Sequence, residues 1–267
     1  MASILTSHDQ SILEKMQDPE AAPSAPLVIN PELPRDPHIS DPALYQTVTQ
    51  KEREIITSIQ SVELQLAGLN SALPESPLSQ YQGCVTTLDS LVEEFPDYAS
   101  ARNNRAQALR RIYGDGVLVQ APSDDSEDAQ VLDTEASDAT LLAISTTILN
   151  DLTMAIKLLT PTNPFSPLSP QAAKTLSQAY TQRGAIYHLT AKRLSSTGAE
   201  LRIDRCRREA SWKAVDFEEN ASLDFMLGGR YGNEIAKALA VSINPTAKLC
   251  GEMVKEAMRK EYAGGMV

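Results

Sequence analysis

The sequence predicts an all-α fold, and three observations carry that prediction. Four times a residue able to cap a helix is followed at once by proline: Asp41-Pro42, Ser76-Pro77, Ser169-Pro170 and Asn244-Pro245. A capping side chain accepts from the unpaired amides of a first turn, and proline is tolerated there because its missing N–H would have had no partner. Apolar residues also recur at helical spacing, for example Leu141, Ile144, Ile148, Leu152, Ala155, Ile156 and Leu159. Strand patterns are almost absent, and Val117-Leu118-Val119 is too short to count as one.

Taken in order, residues 1–40 open with a short helix in which Asp9 caps and Ile12, Leu13 and Met16 share a face. Pro19, Pro23, Pro26, Pro31, Pro34 and Pro37 follow, and at that density they predict a flexible, extended tether with no packed element. The cap–proline pairs then start helices near 42–72, 77–95, 170–197 and 245–262. Tyr98–Tyr113, Ala139–Leu159, Leu201–Met226 and Asn233–Ser242 also read at period 3.6. Loops fall at 73–76, at 114–137 and at 160–169, the last stiffened by Pro161, Pro164 and Pro167. Gly228, Gly229 and Gly232 read as a helix stop and hinge. The chain thus divides into a tether, 1–40, and a helical domain, 41–267, with an acidic insertion at 114–138.

The 267 residues hold 35 acidic and 24 basic side chains, for a formal charge of −11. That balance argues against generic affinity for nucleic acid or anionic membranes, which need clustered cations. The charge is uneven: from Ile112 to Ile156 there is no Lys, Arg or His, and nine carboxylates fall inside. Arg183–Lys213 runs the other way, with eight bases against three acids. No run of 18 apolar residues and no signal-peptide pattern is present, so no membrane span is expected. Three scattered cysteines predict a reducing, cytoplasmic setting; Cys84 and Cys250, on apolar faces, read as core thiols.

Two helices match each other at a spacing of 78: Asn104-Arg105-Ala106-Gln107-Ala108-Leu109 against Gln182-Arg183-Gly184-Ala185-Ile186-Tyr187. Asp151-Leu152-x-x-Ala155-Ile156-x-Leu158 similarly matches Asp216-Phe217-x-x-Asn220-Ala221-x-Leu223. Helices of two classes therefore alternate, with a small residue (Gly68, Ala106, Gly184) where a partner approaches closely, a bulky one three positions on at Leu109 and Tyr187, and Phe217 as a further packing residue. This is the logic of a tetratricopeptide-repeat stack, in which a hairpin cannot bury its apolar face alone. About three repeats are expected, closed by a C-terminal capping helix that covers the last one with Leu249, Cys250, Met253 and Met258.

The strings Ala99-Ser-Ala-Arg-Asn-Asn-Arg-Ala-Gln-Ala108, Gln182-Arg183-Gly184, Asn244-Pro245-x-Ala247-x-Leu249-Cys250-x-x-Met253 and His8-Asp9-Gln10-Ser11-Ile12-Leu13 resemble the tetratricopeptide repeat protein 36 family. The resemblance implies a small non-catalytic protein, chaperone binding and a link to tyrosine metabolism. Repeat proteins of this fold often hold a chaperone's terminal carboxylates in a clamp of Lys, Asn, Asn, Lys and Arg. The corresponding positions fall at Gln65 and Leu69, Asn104, and Gln178 and Gln182, so only Asn104 matches and that mode is not expected.

The functional expectation is a non-catalytic scaffold or adaptor whose groove, lined by Asn103, Asn104, Arg105, Gln182 and Arg183, holds a peptide or helix of a protein partner. By resemblance that partner is a heat-shock chaperone or a metabolic enzyme. The alternative is a regulatory subunit or self-inhibited adaptor of a metabolic enzyme, with the acidic insertion occupying the basic groove. Arg202, Arg205, Arg207 and Arg208 read as helical and cover more than one face, first of all as solvated helix faces and as an alternative as partners for acidic segments, the chain's own among them. His8, His38 and His188 lack a second ligand at helical spacing, so no metal is expected, and no cofactor motif or nucleophile–base set stands out. Trp212, placed on the last paired helix, reads as a packing anchor.

Overall fold

A computed structural model describes residues 27–69, 75–120, 131–163 and 166–264. Eight α-helices occur among them: α1 Pro42–Leu66, α2 Pro77–Glu94, α3 Ala99–Tyr113, α4 Asp138–Leu159, α5 Pro170–Thr197, α6 Ala214–Arg230, α7 Glu234–Ile243 and α8 Pro245–Gly264. All four cap–proline pairs start helices, and all four caps are visible as hydrogen bonds, Asn244 Oδ1 accepting from the Thr246 amide at 2.9 Å. The side chains of Asp41, Ser76 and Ser169 accept from the amides of Ala43, Ser79 and Ala172. The fold is all-α, with consecutive helices packed as neighbours and α3 also touching α5.

Two apolar cores meet on α3. Its Ala101, Ala108 and Ile112 join Val48, Ile55, Tyr81 and Leu88 of the first hairpin, α1/α2. Its Ala106 and Leu109 join the larger core of α4, α5, α6 and α7. Helix α4 is by length and composition apolar enough to cross a membrane, which the absence of an uninterrupted apolar run had hidden. One face, with Ile148, Leu149, Leu152 and Ala155, is wholly buried in the core, while Leu142 and Met154 are exposed.

Several expectations need correction. Helix α1 stops at Leu66, and Gly68, expected as a close-packing residue, has φ +71° and open space around it. Glycine ends the helix there because a left-handed residue is required, not because a neighbour approaches. Residues 201–213 are not the start of a helix. Glu200–Leu201 pairs antiparallel with Val119–Gln120, a 3-10 turn spans Arg208–Ser211, and α6 begins only at Ala214. Val117, Leu118 and Val119, too short for an isolated strand, are all buried, and Val119 opens the two-residue strand that pairs with Glu200–Leu201. Gly228 and Gly229 lie inside α6; an added Cβ would sit 2.7 Å from Thr181 Oγ1 and from Lys237 Cβ respectively, so they permit close crossing. The turn itself belongs to Gly232, at φ +108°.

The stretch 27–40 is no free tether. Asn30 donates to the Leu168 carbonyl at 2.9 Å, and the Leu168 amide donates to Val28 at 3.0 Å. Ser169 Oγ donates to the Arg35 carbonyl and His38 Nε2 to that of Leu158, each at 3.0 Å. This strap ties the start of α1 to the α4–α5 corner. The short helix expected at 9–16 lies outside the described residues. A C-terminal helix is present, but Leu249, Cys250, Met253 and Met258 are exposed and do not cover the last hairpin as expected, and of the two expected core thiols only Cys84 is buried.

Candidate functional site

Helices α1, α3 and α5 share one side of the molecule, and polar side chains stitch them together. Glu52 on α1 accepts from Tyr98 Oη at 2.6 Å and from Asn104 Nδ2 at 2.7 Å. Glu63 accepts from Tyr81 Oη at 2.5 Å and Arg111 Nε at 2.8 Å. Between α3 and α5, Gln182 Nε2 donates to Asn103 Oδ1 at 2.8 Å, and Arg110 donates to Gln182 Oε1 at 2.9 Å.

The same three helices line a groove with two chambers, about 1130 and 440 Å³, which share Ile56, Asn104, Lys174 and Gln178. Most charges facing it are matched. Asp115 takes a bidentate pair from Arg110, and Arg111 pairs with Glu63. Buried Asp36 accepts from the His38 amide. Burial pushes the carboxyls of Asp36 and Glu52 above the usual range, although hydrogen bonds pull both back. At Glu63 burial is outweighed by the bonds from Tyr81 and Arg111, and its pKa falls below the ordinary value. Arg35, Arg53 and Lys174, all exposed at the groove, form no ion pair among the described residues, and Arg35 lies over the Tyr45 ring.

The expected groove residues divide. Asn104 lines both chambers, while Asn103 is 1% exposed and committed to Gln178 and Gln182. Arg105 turns away from the groove, gripping Asp151 through two bonds of 2.7 Å and Asp89 through one of 2.8 Å. Arg183 forms a buried fork with Asp224, at 2.7 and 2.8 Å, and stands 5.8 Å from the centroids of Tyr180 and Tyr187. Burial alone would lower the Arg183 pKa; the Asp224 carboxylate more than reverses that, holding the guanidinium charged. These arginines join the two classes of helix, and their own bonds leave little to offer a ligand. The repeat match had aligned Asp151 with Asp216, whereas the residue that takes its place is Asp224.

Gly184, Tyr187 and Phe217 lie in closely packed surroundings. A Cβ on Gly184 would stand 3.3 Å from atoms of Ala221, Asp224 and Phe225, and Ala106 is fully buried. Tyr187, Trp212 and Phe217 meet edge to face, with centroids 5.1 to 5.7 Å apart. Trp212 is an anchor, but it precedes α6 and is not on it.

Residues at the groove that sequence reasoning missed are Arg53, Lys174 and Glu52. The signal for Lys174 was present: it lies one turn before Gln178, a position corresponding to the clamp of related repeat proteins. On α1 the clamp-equivalent positions, Gln65 and Leu69, lie too far along. Gln65 bonds Gln80 of α2, and Leu69 follows the helix end. The arginines at 202–208 sit on an irregular loop: Arg202 pairs with Asp138, Arg207 bonds Asn150 and Glu209, and Arg208 covers Trp212. Among the described residues no three His, Cys, Asp or Glu side chains are grouped so as to hold a metal.

Comparison with known proteins bears on what this groove serves. The chain is 35% identical over 263 residues to a protein of Aspergillus fumigatus described as "L-tyrosine degradation gene cluster protein hmgX". The match covers 97% of this chain and 94% of that protein. No family model and no solved structure matches the chain, so the resemblance to the tetratricopeptide repeat protein 36 family has no support from either.

Proposed function

The chain belongs to the same family as the Aspergillus fumigatus hmgX protein, and from that premise we propose that it is a non-catalytic interaction scaffold serving L-tyrosine degradation in the cytoplasm. The relative's description supports the process. The fold supports the role: α1/α2, α3/α4 and α5/α6 form three successive hairpins, an arrangement consistent with a tetratricopeptide-type stack that α7 and α8 continue. The function lies in the groove across α1, α3 and α5, and its partner is a peptide or helix of another protein, such as a metabolic enzyme or a chaperone.

One observation carries this reading. In a groove whose other charges are largely met within the chain, Arg35, Arg53 and Lys174 remain without a carboxylate partner among the described residues, and the amides of Asn104 and Gln178 line the same groove. Unpaired cations flanked by groups that donate and accept hydrogen bonds suit a polypeptide segment bearing carboxylates. The decisive variant is Arg53→Glu with Lys174→Glu, used as bait in extracts of cells grown on L-tyrosine. Loss of co-purifying proteins with an unchanged circular dichroism spectrum is expected; undiminished capture removes the groove from the function.

A second reading makes the protein a self-inhibited regulator, and the pairing of Asp115 with Arg110 at the groove wall favours it. Asp115→Asn should then strengthen partner binding at low salt; unchanged affinity excludes competition by this residue.

A further inference from the structure

The C-terminal end of the helical stack carries an apolar surface that no described residue covers. Leu249, Met253, Val254 and Met258 of α8 are each more than half exposed. With Cys250 they fall on one side of the helix by their spacing. On α7, Ile235 and Val241 are 73% and 71% exposed. Terminal helices of a repeat stack ordinarily turn a polar side to water, and soluble proteins seldom leave so many large apolar groups bare on neighbouring helices.

The N-terminal side of the chain approaches one of these groups, Ile235 at the start of α7. The described residues begin at Leu27, which with Ile29, Tyr231 and Ile235 lines a pocket of about 720 Å³ against the α6–α7 turn. Twenty-six residues precede it in the sequence, and among them Ile12, Leu13 and Met16 fall on one side of a helical pattern that Asp9 can cap. Between that pattern and Leu27 stand residues 17–26, including Pro19, Pro23 and Pro26. A proline-rich spacer extends about 3.1 Å per residue, so these ten residues reach roughly 30 Å. Helix α8, at 1.5 Å per residue, is about 30 Å long, and the spacer therefore spans it.

We propose that residues 9–16 dock as an amphipathic helix on the bare apolar side of α8, reached past Ile235, and cap the stack within the same molecule. A tethered segment acts at an effective concentration on the order of millimolar, which favours it over a second copy in dilute solution. Burial of Ile12, Leu13 and Met16 against Leu249 and Met253 supplies the driving force.

The exposed thiol of Cys250 reports on this contact, and exposed Cys206 and buried Cys84 are internal references. Alkylation of the full chain by iodoacetamide, followed by mass spectrometry, should modify Cys250 at least tenfold more slowly than the full-length Ile12→Asp, Leu13→Asp variant does, with the Cys206 rate equal in both. An unchanged Cys250 rate in a variant with native circular dichroism overturns the proposal. Protection that survives in the variant and increases with protein concentration also overturns it, and identifies a second copy as the occupant.

Discussion

The first and third helical hairpins are built from similar helices but held by different forces. In α5/α6 the helices cross at contact distance: Gly184 meets Ala221, Asp224 and Phe225, and the Arg183–Asp224 fork is sealed inside. In α1/α2 the corresponding crossing is looser. Gly83 of α2 faces open space, and the ion pair Lys51–Glu94 leaves its side chains 45% and 52% exposed. Where helices cross closely, polar side chains are consumed by the fold. Where they do not, side chains such as Arg53 remain available to a groove.

The largest test of that contrast is to remove one partner of each ion pair. Asp224→Ala leaves the Arg183 charge buried without its carboxylate and should cost about 3–5 kcal/mol, measured by urea denaturation. Glu94→Ala, at a solvent-screened pair, should cost less than about 1 kcal/mol. Equal losses would mean that the two hairpins are held alike.

Glycine substitutions divide the hairpins next. Gly184→Leu forces a branched side chain into atoms 3.3 Å from its first carbon, at an expected cost of about 1–3 kcal/mol. Gly83→Ala, in an exposed helix with room for the methyl group, should instead stabilise by about 0.5–1 kcal/mol, since alanine restricts the unfolded chain and favours helix.

The smallest effect is pH-dependent and belongs to the groove. Burial raises the Glu52 pKa above its ordinary 4.5, so the folded state binds that proton more tightly than the unfolded chain does. Ionisation therefore opposes folding. The cost is absent well below 4.5 and grows as pH rises from there to the folded pKa. Glu52→Gln keeps a hydrogen-bonding amide, so relative to wild type its stability should improve as pH rises through that window. A difference independent of pH would show that Glu52 titrates as in the unfolded chain.

Much of the fold was legible because caps and periodicity are local. Asp41-Pro42 and Ser169-Pro170 start helices through atoms two or three residues away, so no distant contact is needed to find them. The errors arose where a distant contact decided. The sequence 201–213 has helical spacing, but the Arg202 amide is taken by the Leu118 carbonyl and the strand pair fixes an extended backbone instead. The strap over 27–40 reads as a tether because proline forbids regular structure, yet the Asn30 amide, the Val28 and Arg35 carbonyls and the His38 ring all find partners more than a hundred residues away. Gly68 and Gly184 are the same residue type at the end of a helix and inside one; only the neighbours separate a stop from a contact.

The candidate site was less legible for the same reason. Arg105, Arg183 and Arg53 are equally basic in the sequence, and the repeat match singled out the first two. Recurrence identified residues needed in each hairpin, which are those whose charge is met by Asp151 and Asp224. By itself the sequence determined the all-α class, most helix starts and the alternation of two helix types, because these rest on spacing and on bonds within one turn. Which arginines are buried in the fold and which face the groove was decided only by tertiary structure, since the free energy of a charge depends on the carboxylates and the water around it.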